Sequence, residues 1–214
     1  MKQVAVIGLG RFGSSVARTL AESGCEVLAV DVDEARVKAI ADEVTDAVRA
    51  NALEEEALRA LGLRNFEVVV VAIGHEVEAS ILVTVLLKEM GIPKIVAKAQ
   101  DELHGRVLQK IGADIVVFPE RDMGIRLAHT LISRNVIDEI QLSTDYSILE
   151  IVAPPRFLAR SLRELELRQR FGLTVLAIRR EDRIIVSPDA DQVVDEGDIL
   201  VTLGQPEKLE RLNE

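Results

Sequence analysis

The chain has 214 residues, enough for one large domain or for one medium and one small. Its 48% hydrophobic content supplies a core, while a net charge of -10, 3% aromatics and no tryptophan argue against a nucleic-acid partner, which selects basic surfaces and stacking rings. The single cysteine, Cys25, excludes an internal disulfide, the first apolar run is strand-like rather than a signal peptide, and no run approaches the ~20 residues of a membrane span. The expectation is a cytoplasmic protein with no direct membrane insertion.

A short apolar run, Val4 to Ile7, ends at Gly8, and Gly8-Leu9-Gly10-Arg11-Phe12-Gly13 then reads G-x-G-x-x-G before an amphipathic helix. A second run, Val27 to Val30, stops on Asp31, about twenty residues past the glycines, as the dinucleotide fingerprint requires. Gly8 permits the tight turn, Gly10 lets backbone approach a phosphate, and Gly13 lets the helix pack close to the sheet. The helix N-terminus presents free N–H groups to an anion. Asp31 can accept from both ribose hydroxyls and repels a 2′-phosphate, and neither Val32 nor Asp33 supplies the basic group that NADP needs.

Arg11 stands in the first helical turn, where a cation opposes the macrodipole. It reads either as a solvated arginine curling away or as a clamp on a bound polyphosphate. The clamp is preferred, because a pyrophosphate already has the helix end and an extra cation points to more negative charge, as in ATP or ADP.

Further along, Glu34 to Glu43 reads as a helix with Asp33 as N-cap, Ala47 to Arg49 as a strand ending at Asn51-Ala52, and Glu54 to Leu61 as a helix closed by Gly62. Glu67 to Ala72 has the β-branched character of a central parallel strand. Ile73-Gly74 leads into a helix over Glu76 to Met90. Lys94 to Ala97, Asp101 to Ile111 and Asp114 to Phe118 read as strand, helix and strand. Strands alternating with helices over residues 1–118 match a doubly wound parallel sheet of Rossmann type, an α/β fold. In such a sheet the loops carrying Gly8 to Gly13 and Ile73-Gly74 line the ligand crevice, Asp31 to Asp33 lie beside it, and Asn51-Ala52 reach toward the base. Lys98 at a strand end and Glu120 after Pro119 read by themselves as a solvated cation and a solvated first-turn acid.

Residues 119–142 read as a long crossover helix and linker, with Met123, Leu127, Leu131 and Ile132 as an apolar stripe for the core or for a partner subunit. Residues 143–214 read as a small α+β domain. It contains strands over Ser147 to Val152, Leu173 to Arg179, Arg183 to Val186 and Asp198 to Leu203. A short helix follows Ser161, whose spacing from Glu164 fits a capping box, and Pro206 to Leu212 is a closing helix.

No catalytic pattern is complete in the sequence. His75-Glu76 begins H-E-x-x-H, but position 79 is Ala; no G-x-S-x-G occurs, and the second domain has no histidine. A nucleotide domain beside a domain without a base points to a sensor rather than an enzyme, one in which a ligand shifts two conformational populations.

The runs G-L-G-R-F-G, V-D-V-D, V-V-V-A-I-G, A-K-A-Q-D and I-G-A-D-I-V-V-F-P-E-R-D-M-G resemble one family, and Y-S-I-L-E-I, R-Q-R-F-G-L-T-V-L-A-I-R-R and G-D-I-L-V-T-L-G extend the likeness over essentially the whole chain. The family is the cytosolic regulatory subunit of Ktr-type potassium uptake systems, of the TrkA type, built from regulator-of-conductance-of-potassium (RCK) domains. The resemblance implies homodimers assembled into an octameric ring on a membrane-embedded potassium-translocating subunit, with ATP and ADP competing for the crevice. It implies that Arg11 contacts the γ-phosphate, that Asp31 holds the ribose, and that Lys98 and Glu120 belong to the phosphate site. Glu120 would there be a ligand to Mg²⁺ or another cation. Relatives can carry Asn where this chain has Asp33, and the added charge disfavours ATP unless a cation bridges it. In some relatives the C-terminal domain binds cyclic di-AMP, for which Leu162, Leu165, Arg168 and Pro188 are the candidates here. The alternatives are an NAD(H)-binding Trk-type regulator, which would not need Arg11, and a small NAD-dependent oxidoreductase.

Overall fold

β1 (Gln3–Ile7) is interior on both of its faces, because its neighbours cover both. Ala5 and Ile7 join one core, Val4 and Val6 another, and β2 (Glu26–Asp31) divides in the same way, Leu28 and Val30 against Val27 and Ala29. The computed structural model describes residues 2–205 apart from 75, 133–135 and 144. It separates into two units between Arg121 and Asp122, each taken by itself below.

The first unit is a parallel sheet in the order β3-β2-β1-β4-β5-β6, with β3 (Asp46–Arg49), β4 (Val68–Val71), β5 (Ile95–Lys98) and β6 (Ile115–Val117). Helices α1 (Arg11–Glu22) and α2 (Glu34–Ile40) cover one face through Ala17, Val37 and Ile40. The other face is covered by α3 (Glu55–Ala60), α4 (Val77–Glu89) and α5 (Glu102–Ile111) through Leu58, Val83, Leu87 and Leu108. Strands buried on both faces need no polar alternation, which is why β4 is V-V-V-V. Fully burying one such valine contributes about 1.5–3 kcal/mol. This is the doubly wound arrangement expected. Strand order reverses between β1 and β4, so their carboxyl ends diverge and open a crevice.

The helix caps follow from local chemistry. Asp33 accepts from the Ala35 amide at 2.8 Å, and Asp101 caps α5 by accepting from the His104 amide at 2.8 Å. Gly62 and Gly112 take left-handed φ of 66° and 109° where α3 and α5 end. Gly105 has a packing role: a Cβ there would lie 2.3 Å from Cζ of Phe118, whose ring lies under the Arg121 guanidinium at 3.9 Å. Gly105→Ala is expected to cost about 1–3 kcal/mol through overpacking, read as a lower urea midpoint with unchanged slope.

The second unit is an antiparallel sheet in the order β10-β9-β11-β8-β7. Its strands are β7 (Val136–Gln141), β8 (Ser147–Val152), β9 (Thr174–Arg180), β10 (Arg183–Val186) and β11 (Ile199–Gly204). Leu149, Ile151, Ile178 and Leu200 face a core closed by Phe157 and by helices α7 (Leu162–Leu165) and α8 (Leu167–Phe171). The Ser161–Glu164 capping box is present.

β7 corrects the sequence reading, which placed these residues in the crossover. The register shifts between Val136 and Asp138, so V-I-D-E-I-Q lacks the strict period of two that marks a strand. The crossover is thus α6 (Pro119–Ile132) only, and the second sheet begins before residue 143. On α6, Met123, Leu127 and Leu131 are 58%, 54% and 76% exposed, so this part of the stripe is not core within the chain. The expected closing helix, Pro206 to Leu212, lies outside the described residues.

Candidate nucleotide site

The loop after β1 is shaped by its glycines. Gly8 has φ of +96°, and a Cβ on Gly13 would lie 1.9 Å from the Gly8 carbonyl oxygen, so α1 can approach the sheet only without a side chain there. A Cβ on Gly10 would meet nothing within 4 Å, so the loop backbone is open on that side. The first helical bond runs from the Ser14 amide to the Gly10 carbonyl, leaving the earlier amides of the turn without an intrahelical acceptor. That is the arrangement an anion completes.

Asp31 ends β2 and ties the loop down. One carboxylate oxygen accepts from the Leu9 amide at 2.6 Å and the other from the Asp33 amide at 2.8 Å. A carboxylate has about four acceptor sites, and with the Arg36 guanidinium as a third donor at 3.4 Å one remains for a ribose hydroxyl. Arg36 Nη1 approaches Asp31 at 3.4 Å and its Nε approaches Asp33 at 3.6 Å. The negative charge of Asp33 therefore meets a cation from its own helix. The sequence reading missed Arg36, although its position three residues past the N-cap puts it on the same helix face.

At the other end, Lys98 closes β5 with its side chain 11% exposed. Its ammonium donates to Glu120 Oε1 at 2.5 Å and lies 5.8 Å from the Phe12 ring centroid. The Lys98 hydrogen bond is the main cause holding the Glu120 carboxyl below its ordinary pKa, with the charges of Lys98 and Arg11 adding to it. Read alone these were a solvated cation and a solvated acid; they are partners joined at the cleft.

A cleft of about 540 Å³ joins these pieces, within the range of small-molecule sites. Gly8, Gly10, Arg11 and Phe12 line it from the β1 loop, Asp31 and Val32 from the end of β2, and Asn51, Ala52, Ile73, Gly74, Lys98 and Glu120 from the remaining loops. Leu9, Gly13 and Asp33 do not line it. Leu9 is 3% exposed and acts through its amide, Gly13 sets helix packing, and Asp33 caps α2. The Asn51 side chain is engaged in a local turn, accepting from the Leu53 amide at 3.1 Å and donating to Glu54 at 2.9 Å. Besides Arg36, the lining residues not anticipated include Ala50, Leu53, Ala79 and Val83, which carry no polar signature to find them by.

The donor set suits a nucleotide with a bound cation. Among the described residues no group of three or more His, Cys, Asp or Glu side chains forms a metal cage. Glu120 is a single carboxylate lining the cleft, and Mg²⁺ is typically held by one or two carboxylates plus phosphate oxygens and water. Of the histidines, His75 lies outside the described residues and His104 is buried at 3% exposure. In the second unit Leu165 is 1% exposed and belongs to the core, while Arg168 is exposed.

Two family models match, the TrkA-N domain over residues 4–119 and the TrkA-C domain over 146–214. The chain belongs to the TrkA-N/TrkA-C family. Its relatives include the Ktr system potassium uptake protein A of Bacillus subtilis, 48% identical over 98% of this chain and 95% of that protein. Protein C of the same organism is 46% identical with the same coverage, and the Vibrio alginolyticus protein A is 42% identical over 97% and 94%. Among solved structures, the GsuK RCK domain superposes with a TM-score of 0.69 over 99% of this chain and 46% of that one. The GsuK channel bound to NAD superposes with a TM-score of 0.67, covering 99% and 39%. At 18% identity both show that this TrkA-N/TrkA-C protein has the RCK fold, and nothing further.

Proposed function

We propose that this chain is the cytoplasmic regulatory subunit of a Ktr-type potassium uptake system, which binds ATP or ADP in the cleft and thereby controls a membrane-embedded translocating subunit. The observation that carries the nucleotide assignment is the cluster of Arg11, Lys98 and Glu120 facing the open backbone at Gly10. Asp31 holds the ribose, the α1 turn takes the inner phosphates, and Arg11 and Lys98 take the outer ones. With nucleotide bound, Lys98 would be available to phosphate oxygens and Glu120 could hold a cation such as Mg²⁺, whose charge would offset that of the carboxylate and phosphates. Arg36 lies between Asp33 and Asp31 and partly offsets the extra acid.

No described helix is long and apolar enough to cross a membrane, so control passes through contact with the translocating partner. Homodimers joined in part through the exposed α6 stripe assemble into an octameric ring, and a nucleotide that prefers one ring shape shifts the population by its differential affinity. The second reading, an NAD(H)-binding Trk-type regulator, is equally compatible with Asp31, since an acid at this place serves any adenosine ribose, but it would not need Arg11.

Calorimetric titration of nucleotide-stripped protein with ATP, ADP, NADH and cyclic di-AMP, with and without magnesium, separates the two. Competitive binding of ATP and ADP without NADH binding is the expected result. Tight NADH binding with negligible ATP binding overturns it in favour of the second reading.

A further inference from the structure

Lys98 is followed by a turn whose polar side chains are used in an unusual way. The Ala99 amide donates to the Val117 carbonyl at 2.9 Å, which anchors the turn to β6. The next amide, of Gln100, donates to Nδ1 of His104 at 3.3 Å, while the Gln100 side-chain amide crosses to donate to the Gly74 carbonyl in the loop after β4. Gly74 lines the cleft against Lys98, and a Cβ on Gly74 would lie 3.1 Å from the Lys98 ammonium.

The imidazole is the odd element. His104 is 3% exposed, and its Nδ1 acts as acceptor, which puts the proton of the neutral ring on Nε2. That Nε2 is buried without a hydrogen-bond partner among the described residues. A leucine would fill such a space without burying an orphan donor. What the imidazole alone supplies is an acceptor for the Gln100 amide, and burial keeps it neutral by lowering its pKa against the opposing charge of Asp101.

We infer that Gln100 and His104 are positioning residues of the nucleotide cleft: His104 orients the Gln100 turn, and Gln100 holds the Gly74 loop against Lys98 at the phosphate end. This rests on the nucleotide reading of the cleft. The relay keeps Lys98 aimed into the cleft when its partner changes from Glu120 to a phosphate, so its effect falls on nucleotides with outer phosphates and not on AMP.

The test is calorimetry of ATP and AMP on the full chain, with the melting temperature measured without nucleotide. Gln100→Glu sets an oxygen against the Gly74 carbonyl but also adds a negative charge near the phosphates, so the neutral Gln100→Met, which only removes the bond, is measured beside it. Each is expected to weaken ATP about tenfold or more, the worth of one net hydrogen bond, with AMP unchanged and the melting temperature lower by no more than about 2 °C. His104→Leu is expected to do the same, and His104→Asn, which restores an acceptor near Nδ1, to recover most of the ATP affinity. Unchanged ATP affinity in Gln100→Glu or Gln100→Met, or equal losses for ATP and AMP, overturns the inference. So does a fall in the melting temperature of Gln100→Glu by several degrees, which would make the relay structural only. If the unaltered protein binds no ATP, the nucleotide reading fails first and takes this inference with it; if it binds ATP and the variants match it, only the relay fails.

Discussion

Arg11→Ala weakens ATP by about ten- to a hundredfold while leaving AMP nearly unchanged, the span that one or two charge-assisted hydrogen bonds cover. Arg11 is exposed, lines the cleft and has no hydrogen bond or ion pair among the described residues, so the apo melting temperature is expected to stay within a degree or two. A cation in the first turn of α1 is unfavourable against the helix dipole, and its removal alone slightly stabilises the empty helix. Loss of ATP affinity together with an unchanged or raised apo melting temperature is therefore the signature of a ligand clamp. Calorimetry of ATP, ADP and AMP on the variant measures it. Equal losses for all three would place Arg11 away from the outer phosphates.

Arg180→Met lowers stability by about 3 kcal/mol, the lower end for breaking a buried ion pair from one side. Arg180 spans the second unit, its Nε and Nη2 donating to the two oxygens of Asp198 at 2.8 Å each and its Nη2 also to the Val193 carbonyl at 3.0 Å. Asp198 is 0% exposed on its side chain against 33% for Arg180, so the carboxylate loses most when the partner goes. Burial alone would raise the Asp198 pKa. The bonds from Arg180 and the Asp195 amide outweigh it and the net shift is downward.

The sign for pH follows. A carboxylate with a depressed folded pKa contributes stability above its unfolded value near 4, and loses it as pH falls through the lower folded value. In Arg180→Met burial dominates and the shift reverses, so the carboxylate destabilises at neutral pH and is relieved by protonation. The gap between unaltered protein and variant is thus widest near pH 7 and narrows toward pH 4, measured by urea unfolding across that range. A constant gap would mean that the lost stability is packing and not charge. Adding Asp198→Asn recovers part of it at pH 7.

The alternation of strands and helices in the first unit, its parallel class and the crevice loops were legible along the chain because their causes are local. Continuous β-branched runs mark strands covered on both faces, as in Val68–Val71, while alternation marks half-covered ones, as in Ser147–Val152. Glycines and caps punctuate them. Gly8, Gly13 and Asp31 could be assigned from spacing because the dinucleotide fingerprint is itself a short-range geometry. β7 was hidden because its register shift breaks the period on which recognition depends.

The rest of the site required the tertiary structure. Lys98 and Glu120 are 22 residues apart, Gln100 and Gly74 are 26, and Arg180 and Asp198 are 18. Apart from Gly74, whose loop was expected at the crevice, and from what the family resemblance implied for Lys98 and Glu120, these residues carried no mark of their partners, since charge and hydrogen-bonding capacity have no direction until a sheet brings strand ends side by side. Sequence alone determined that a nucleotide-shaped loop would form at the end of β1. Only the packed sheet decided which charges meet there, because partner choice between distant residues is set by strand order, and strand order is set by how both faces are buried.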